Sequence, residues 1–128
     1  MPINKVEALE VLKVFGRAFN KADVDGILGC VTDDFEWRLA DGPDAPDAKV
    51  LKGGDEVRDA LESRGEKYKS IKFSETELFY TDEQVIGRFR ATGKYADGRP
   101  LDVRGIDIYD FRGGKISVKD SYWKDITD

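Results

Sequence analysis

The spacing of apolar residues changes near residue 70, and this change constrains the fold more than any other feature. Before it, Leu9, Leu12 and Phe15 recur at steps of three, which places them on one face of a helix. After it, apolar and polar residues alternate in four runs, 71–80, 84–95, 101–111 and 115–123. Helices followed by strands predict an α+β domain whose second half is an antiparallel meander. At 128 residues the chain is expected to form a single domain, 1–128.

Three helices are predicted in the first half of the chain. Asn4 caps a first, amphipathic helix that ends near Asn20, and Asp23 caps a short second helix. A third helix begins at Asp55, whose negative charge suits a helix N-terminus, and ends at Gly65.

A short strand and a long loop are predicted between the second and third helices. Residues 35–39 alternate apolar and charged side chains, whereas residues 40–51 show no period and contain proline and glycine. Asp41, Asp44 and Asp47 in this loop lack the ligand spacing of a calcium loop. We therefore assign them no metal.

Two glycine-containing turns predict the register of the meander. Asp97-Gly98 as a two-residue hairpin loop sets Arg88 opposite Asp107, and a three-residue turn at 112–114 sets Asp107 opposite Lys119. One face of the sheet is then polar and charged, with Arg88, Arg90, Asp107, Lys119, Ser121 and Trp123. The other face is almost wholly apolar, with Phe89, Ala91, Tyr95, Ile106, Ile108, Ile116, Val118 and Tyr122.

The composition excludes several classes of site and partner. The chain has no histidine, which removes Ser/His/Asp and Cys/His nucleophiles and histidine-based metal sites. A net charge of −5 disfavours nucleic acid and anionic membrane surfaces as partners. Cys30 is the single cysteine, so no intrachain disulfide can form, and the first residues show no signal-peptide pattern. We expect a cytoplasmic protein in which Cys30 is a packing residue.

Several short strings carry a resemblance to a known family. They are AFNKADVDGI at 18–27, DDFEW at 33–37, GKI at 114–116 and DSYW at 120–123. Together with the order of elements, they resemble the SnoaL-like and ketosteroid-isomerase-like branch of the nuclear transport factor 2-like superfamily, over nearly the whole chain. The resemblance implies a cystatin-like, cone-shaped curved sheet wrapped around the N-terminal helices.

The resemblance carries over few of the family's catalytic residues. The tyrosine and the aspartate base of the isomerases fall at Phe15 and Leu39, and only the buried acid remains, at Asp107. Similarity to limonene-epoxide-hydrolase-like members matches Arg88 to their arginine, but Arg90 and Ser121 stand where their two carboxylates would be. Dehydratases of this fold depend on histidines, which this chain lacks. We therefore do not expect a classical ketosteroid isomerase.

The resemblance places the charged face inside the cone, around a pocket. The predicted catalytic residues are Asp107, Lys119 and Arg88. The predicted ligand-binding residues are Phe15, Phe19, Trp37, Leu39, Arg90, Tyr109, Ser121 and Trp123. The alternative is that the charged residues form cross-strand ion pairs in solvent and that the aromatic residues are ordinary core.

Two functions are compatible with this pocket. One is an enzyme without cofactor that uses acid–base catalysis, as an isomerase, cyclase or hydrolase, on a small hydrophobic carbonyl compound. The other is a ligand-binding or scaffold module without catalysis. In both cases the outer, apolar face of the sheet predicts a homodimer, because soluble monomers seldom expose such a patch.

Overall fold

Helices occupy the first half of the chain and long strands the second, as the change in apolar spacing predicts. The computed structural model describes residues 3–41 and 49–126. The helices are α1 (Lys5–Lys21), α2 (Val24–Leu28), α3 (Gly53–Glu62) and α4 (Arg64–Lys67). The strands are β1 (Val31–Arg38), β2 (Val50–Lys52), β3 (Tyr68–Tyr80), β4 (Gln84–Tyr95), β5 (Pro100–Arg112) and β6 (Lys115–Asp125).

Side-chain caps begin the first two helices at the predicted residues. The Asn4 side chain accepts a hydrogen bond from the Glu7 backbone amide at 3.1 Å, and Asp23 accepts one from Gly26 at 3.1 Å. The predicted end of the third helix is wrong. It ends at Glu62, and Gly65 lies inside the short helix α4 that follows.

The six strands form one curved, unclosed sheet in the order β2-β1-β6-β5-β4-β3. Strands β3 to β6 form the predicted antiparallel meander, while β1 runs parallel to β6. Residues 50 and 51 were expected in a loop, but they belong to β2, which pairs with β1. Asp44 and Asp47 lie outside the described residues.

The predicted register between β4 and β5 is wrong by one residue. The hairpin loop holds three residues, 96–98: the Tyr95 amide donates to Arg99 O at 2.9 Å, and Gly98 adopts φ +89°. Gly87 therefore pairs with Asp107, and Arg88 pairs with Ile106. A one-residue shift moves every side chain of a strand to the other face. Arg88 and Arg90 thus lie on the opposite face of the sheet from Asp107.

The predicted register between β5 and β6 is wrong by two residues. The turn is the two-residue Gly113-Gly114, and a bulge follows it between the Asp110 and Phe111 pairs. Asp107 consequently pairs with Ser121, and Lys119 pairs with Tyr109. A shift of two residues keeps side chains on their face, so the predicted grouping of Asp107, Lys119 and Ser121 on one face is confirmed.

The face of the sheet that packs against the helices, here the inner face, is more apolar than expected. Phe89 and Ala91 were placed on the outer face, but both are buried on the inner one, and Ile116 is fully buried. Tyr95 stacks on Tyr68 beside a cavity, with ring centroids 5.7 Å apart. Of the predicted outer patch, four residues remain on the outer face: Ile106, Ile108, Val118 and Tyr122.

The core lies between α1 and the inner face. Buried residues of α1 share one cluster with Phe35, Val85 and Ile116. Cys30 belongs to this cluster, and burial raises the pKa of its thiol above the ordinary value. Among the described residues, no helix has the length and apolar character needed to cross a membrane.

Candidate functional site

Four polar side chains meet on the inner face where β5 and β6 pair. Asp107 and Tyr109 alternate along β5, and their cross-strand partners on β6 are Ser121 and Lys119. Each of the four residues is less than a tenth exposed. Residues at alternate positions of paired strands share a face, so the sheet itself holds this group together. We call Asp107, Tyr109, Lys119 and Ser121 the polar cluster.

Asp107 is the acceptor at the centre of the polar cluster. Its Oδ1 accepts from Ser121 Oγ at 2.7 Å and from Lys119 Nζ at 3.3 Å, and its Oδ2 accepts from Tyr109 OH at 3.2 Å. An ammonium group can only donate, so the contact with Lys119 requires an acceptor oxygen on Asp107. With three donors directed at its two oxygens, the carboxyl acts as a hydrogen-bond acceptor and not as the proton donor of an isomerase.

Lys119 retains hydrogen-bonding capacity. Its Nζ donates to Asp107 and, at 3.1 Å, to Ser121 Oγ, whereas an ammonium group carries three N–H donors. Among the described residues no third acceptor bonds it, and the ring centroids of Phe19 and Trp37 lie 4.8 and 5.1 Å from Nζ. One N–H therefore remains for an acceptor that enters from a cavity.

Tyr109 is held in its neutral form. Burial raises its pKa well above the ordinary value, and the nearby negative charge of Asp107 and their hydrogen bond act in the same direction. The hydroxyl therefore serves as a hydrogen-bond donor to Asp107.

Two cavities flank the polar cluster. The β6 cavity, of about 590 Å³, is lined by Trp37, Leu39, Ser121 and Trp123, among others. The α1 cavity, of about 370 Å³, is lined by Phe15, Gly16, Asp107 and Tyr109, among others. Phe19, Phe73 and Lys119 line both cavities. The rings of Phe19 and Phe73 meet edge to face at 5.4 Å, so they form part of the wall between the cavities.

The structure brings nine of the eleven predicted site residues to these two cavities. They are Phe15, Phe19, Trp37, Leu39, Asp107, Tyr109, Lys119, Ser121 and Trp123. Arg88 and Arg90 lie on the outer face instead. Arg88 donates to Glu77 at 3.1 Å, and Arg90 donates to Asp102 at 2.9 and 2.7 Å. The predicted position of both arginines was wrong because the β4–β5 register differs by one residue.

An aromatic group at the β6 cavity was not predicted from the sequence. Tyr68 stacks on Tyr95 and lies 6.4 Å from Trp123 between ring centroids. Burial raises the pKa of Tyr68 above its ordinary value. Lys67 crosses over the Tyr68 ring and binds Asp41 at 2.7 Å. A correct β4 register would have placed Tyr95 inside.

Trp37 has an unsatisfied polar atom. Its Nε1 is buried and has no hydrogen-bond acceptor among the described residues, although Trp37 lines the β6 cavity. Within residues 3–41 and 49–126, no three Cys, Asp or Glu side chains are placed to hold a metal ion together.

The family follows from comparison with known proteins. A profile of the SnoaL-like domain matches residues 11–118. The chain belongs to the SnoaL-like family. No curated protein matches it.

Solved structures share the fold of this SnoaL-like chain. A candidate polyketide cyclase from Xanthomonas campestris pv. campestris has a TM-score of 0.82 at 20% identity, covering 95% of this chain and 93% of its own. An NTF2-like protein from Burkholderia xenovorans LB400 has a TM-score of 0.76 at 23% identity, covering 92% and 89%. A Mycobacterium tuberculosis protein in complex with estradiol-17β-hemisuccinate has a TM-score of 0.72 at 20% identity, covering 92% and 94%.

Proposed function

We propose that this SnoaL-like protein binds a small hydrophobic carbonyl compound in the β6 cavity. The observation that carries the proposal is a Lys119 N–H donor that no acceptor among the described residues occupies, buried at the wall of a cavity lined by aromatic residues. A ligand carbonyl oxygen would accept this hydrogen bond. A charged donor in a buried site makes a stronger hydrogen bond than a neutral one, which favours ligands that carry the carbonyl.

The walls of the β6 cavity favour a ligand with flat rings. Trp37, Tyr68 and Trp123 provide large apolar surfaces, and the cavity volume falls within the range of small-molecule sites, roughly 300–1,000 Å³. The steroid derivative bound by the Mycobacterium tuberculosis neighbour is a ligand of this kind. That neighbour shares the fold at 20% identity, so it supports the class of ligand and not its identity.

The catalytic form of this proposal assigns one role to Lys119. Its ammonium group would polarise the carbonyl and stabilise negative charge that develops on the oxygen, as in an isomerase, cyclase or hydrolase without cofactor. Asp107 would hold Lys119 in place. Three donors already occupy the Asp107 oxygens, so the carboxylate is poorly suited to remove a proton from a substrate.

The same observation favours a second candidate function, ligand binding without catalysis. Asp107 already accepts three hydrogen bonds, and Leu39 stands where the resemblance places the base of the isomerases, so neither position supplies a general base. Asp41, which also lines the cavity, binds Lys67. The two candidates share the same ligand contact, so one binding experiment tests both, and turnover separates them.

A matched pair of probes tests the Lys119 contact. We expect 2-acetylnaphthalene to bind about tenfold more tightly than 2-isopropenylnaphthalene, a hydrocarbon of the same shape in which a CH2 group replaces the carbonyl oxygen. In Lys119→Met the preference should disappear while the hydrocarbon still binds. Because this substitution leaves Asp107 without its cation, Lys119→Met/Asp107→Asn serves as a second variant. Equal affinity of the two probes for the unmodified protein, measured by calorimetry, would contradict the proposal.

We also propose a homodimer of single-domain chains, located in the cytoplasm, that pair through the outer face. Its apolar residues form a patch, here the outer patch: Phe79, Ile86, Ile106, Ile108, Val118 and Tyr122. Positively and negatively charged residues that form ion pairs surround the outer patch, such as Arg88 with Glu77. A two-fold axis can match such a surface with itself. Sedimentation velocity at micromolar concentration should show a dimer, and Ile106→Asp should give a monomer with an unchanged fold.

A further inference from the structure

Glycine occurs on two opposite walls of the α1 cavity, at positions where the backbone conformation does not require it. Gly16 lies in the middle of α1, where glycine destabilises a helix, and a Cβ built there meets no atom within 4 Å. Gly87 lies within β4, and a Cβ there would lie 3.4 Å from Leu78 and from Tyr109, at the short end of ordinary van der Waals contact. Neither glycine has a positive φ. A Cβ therefore fits at both positions, but a side chain there would take up space in the cavity.

A glycine inside a strand often marks a bulge, a tight bend, or a place where a ligand or another backbone segment approaches closely. Gly16 faces the α1 cavity from a helix and Gly87 faces it from a strand. Because neither carries a side chain, both keep the space between α1 and the sheet open. The interior of that space is largely apolar, with Leu12, Phe15, Leu78 and Phe89 in its lining.

Two cations stand at the helix side of the α1 cavity. Lys13 and Arg17 are exposed, line the cavity and lie one turn apart on α1. Like charges at this spacing repel each other, and no carboxylate among the described residues lies within 4.0 Å of either side chain. An anionic group between them would relieve this repulsion.

Hydrogen bonds between α1 and β3 fix the edge of the cavity beside these cations. Asn20 bonds the backbone of Phe73 twice: its Nδ2 donates to the carbonyl oxygen at 3.3 Å, and its Oδ1 accepts from the amide at 3.0 Å. These contacts tie α1 to β3, so the opening between the two elements is part of the folded structure. At its deep end the cavity reaches the polar cluster, where Lys119 is more than nine-tenths buried.

We propose that the α1 cavity binds a small monocarboxylic acid with an aryl or alkyl chain. The chain lies among the apolar residues of the interior, and the carboxylate lies between Lys13 and Arg17. Among the described lining residues the only carboxylate is Asp107, which already accepts three hydrogen bonds, so a cationic ligand finds no free partner in that set. A volume of about 370 Å³ is at the small end of ligand sites and suits a single ring.

This site is separate from the one proposed for carbonyl compounds, since it uses another cavity, another opening and another ligand charge. The test uses 4-phenylbutyrate and its neutral analogue 4-phenylbutan-1-ol, each titrated by calorimetry and by chemical-shift changes in the backbone amides. We expect saturable binding of the acid, with the largest shifts in α1 and β4.

Three variants test the location and the charge. Gly16→Leu fills the opening and should weaken 4-phenylbutyrate binding by at least about tenfold, whereas Gly16→Ala, the matched control, should change it by less than about threefold. Both should raise the melting temperature, because each replaces a helix-interior glycine. Lys13→Glu/Arg17→Glu should weaken the acid by at least about tenfold and leave the alcohol unchanged.

Undiminished binding of the acid to Gly16→Leu would overturn the proposed location, and equal loss of acid and alcohol in the charge-reversed variant would overturn the role of the two cations. Absence of saturable binding to the unmodified protein would overturn the site itself. Binding of 2-acetylnaphthalene is measured on the same variants. It should be unchanged in all three, so failure at the α1 cavity is distinguished from failure at the β6 cavity.

Discussion

The ion pairs on the two faces of the sheet differ in burial and in the number of groups that share them. On the inner face, the Lys119–Asp107 pair is less than a tenth exposed and shares its atoms with Ser121 and Tyr109. On the outer face, the side chains of Arg88 and Glu77 are 57% and 61% exposed, and among the described residues neither forms a second ion pair. Exposed pairs contribute little to folding, whereas a buried pair that loses one partner leaves an uncompensated charge. The inner pair is therefore costly to disturb, which is expected of a group whose geometry serves a cavity.

Removal of the inner cation gives the largest expected effect. Lys119→Met should lower the free energy of unfolding by about 3–5 kcal/mol, because the Asp107 carboxylate stays buried without a counter-charge. Urea denaturation followed by circular dichroism measures the loss. Lys119→Met/Asp107→Asn should recover a large part of it, since both charges are gone. A loss below about 1 kcal/mol in the single variant would show that the Lys119–Asp107 pair contributes no more to stability than the exposed ion pairs of the outer face.

Tight packing beside the polar cluster gives the next effect. A Cβ at Gly105 would lie 2.6 Å from Phe89 Cζ and 2.9 Å from Trp123 Cδ1, so Gly105→Ala must move aromatic side chains of the inner face. Overpacking of this kind costs about 1–3 kcal/mol. The matched control is Gly54→Ala in α3, where a Cβ meets nothing within 4 Å. Equal melting temperatures for the two variants would show that the inner face yields more easily than its geometry indicates.

The tyrosine of the polar cluster gives a smaller effect with a distinct pH dependence. Tyr109→Phe removes one donor to Asp107 and should cost about 1–2 kcal/mol at neutral pH. Because burial raises the pKa of Tyr109 above its unfolded value, the folded chain keeps a proton that the unfolded chain loses. The contribution of Tyr109 is fully present below about pH 10 and falls as the pH rises towards the folded pKa, by about 1.4 kcal/mol per pH unit.

The pH dependence is measured as the difference between the unmodified protein and Tyr109→Phe in urea midpoints from pH 8 to 11. Taking that difference cancels the contributions that the other tyrosines make to the pH dependence of stability. Tyr68, whose pKa is also raised, is one of them. The unmodified protein should lose stability more steeply above pH 10 than the variant. Parallel curves would mean that Tyr109 ionises without penalty in the folded chain.

Much of this architecture was predictable, because helix caps and strand periodicity are local signals. The Asn4 and Asp23 caps and the bounds of β4 follow from neighbouring residues alone. Strand β2 was missed because three residues in an irregular segment become a strand only by pairing with β1. The presence of β1 beside β6 likewise depends on contacts between distant parts of the chain.

The candidate site depended on turn geometry, which sequence specifies less sharply. The β5–β6 pairing differs from prediction by two residues, which left Lys119 and Ser121 beside Asp107. The β4–β5 pairing differs by one, which removed Arg88 from the site and brought Phe89 into it. The sequence Asp97-Gly98 is compatible with loops of two or three residues, and Gly98 in a left-handed conformation ends the longer one. Because the loop has one residue more than predicted, the inner face of β4 carries Phe89 in place of Arg88 and Arg90.

The smallest expected effect is at the outer pair. Arg88→Met keeps the length of the side chain and its contact with the Phe79 ring, which lies 5.3 Å from the guanidinium, but removes the charge that binds Glu77. The free energy of unfolding should change by less than about 0.5 kcal/mol, because water solvates Glu77 when the arginine is absent. Binding of 2-acetylnaphthalene should not change, since Arg88 lines neither cavity. Weakened binding in this variant, with Lys119→Met unaffected, would return Arg88 to the site and show that β4 takes the predicted register in solution.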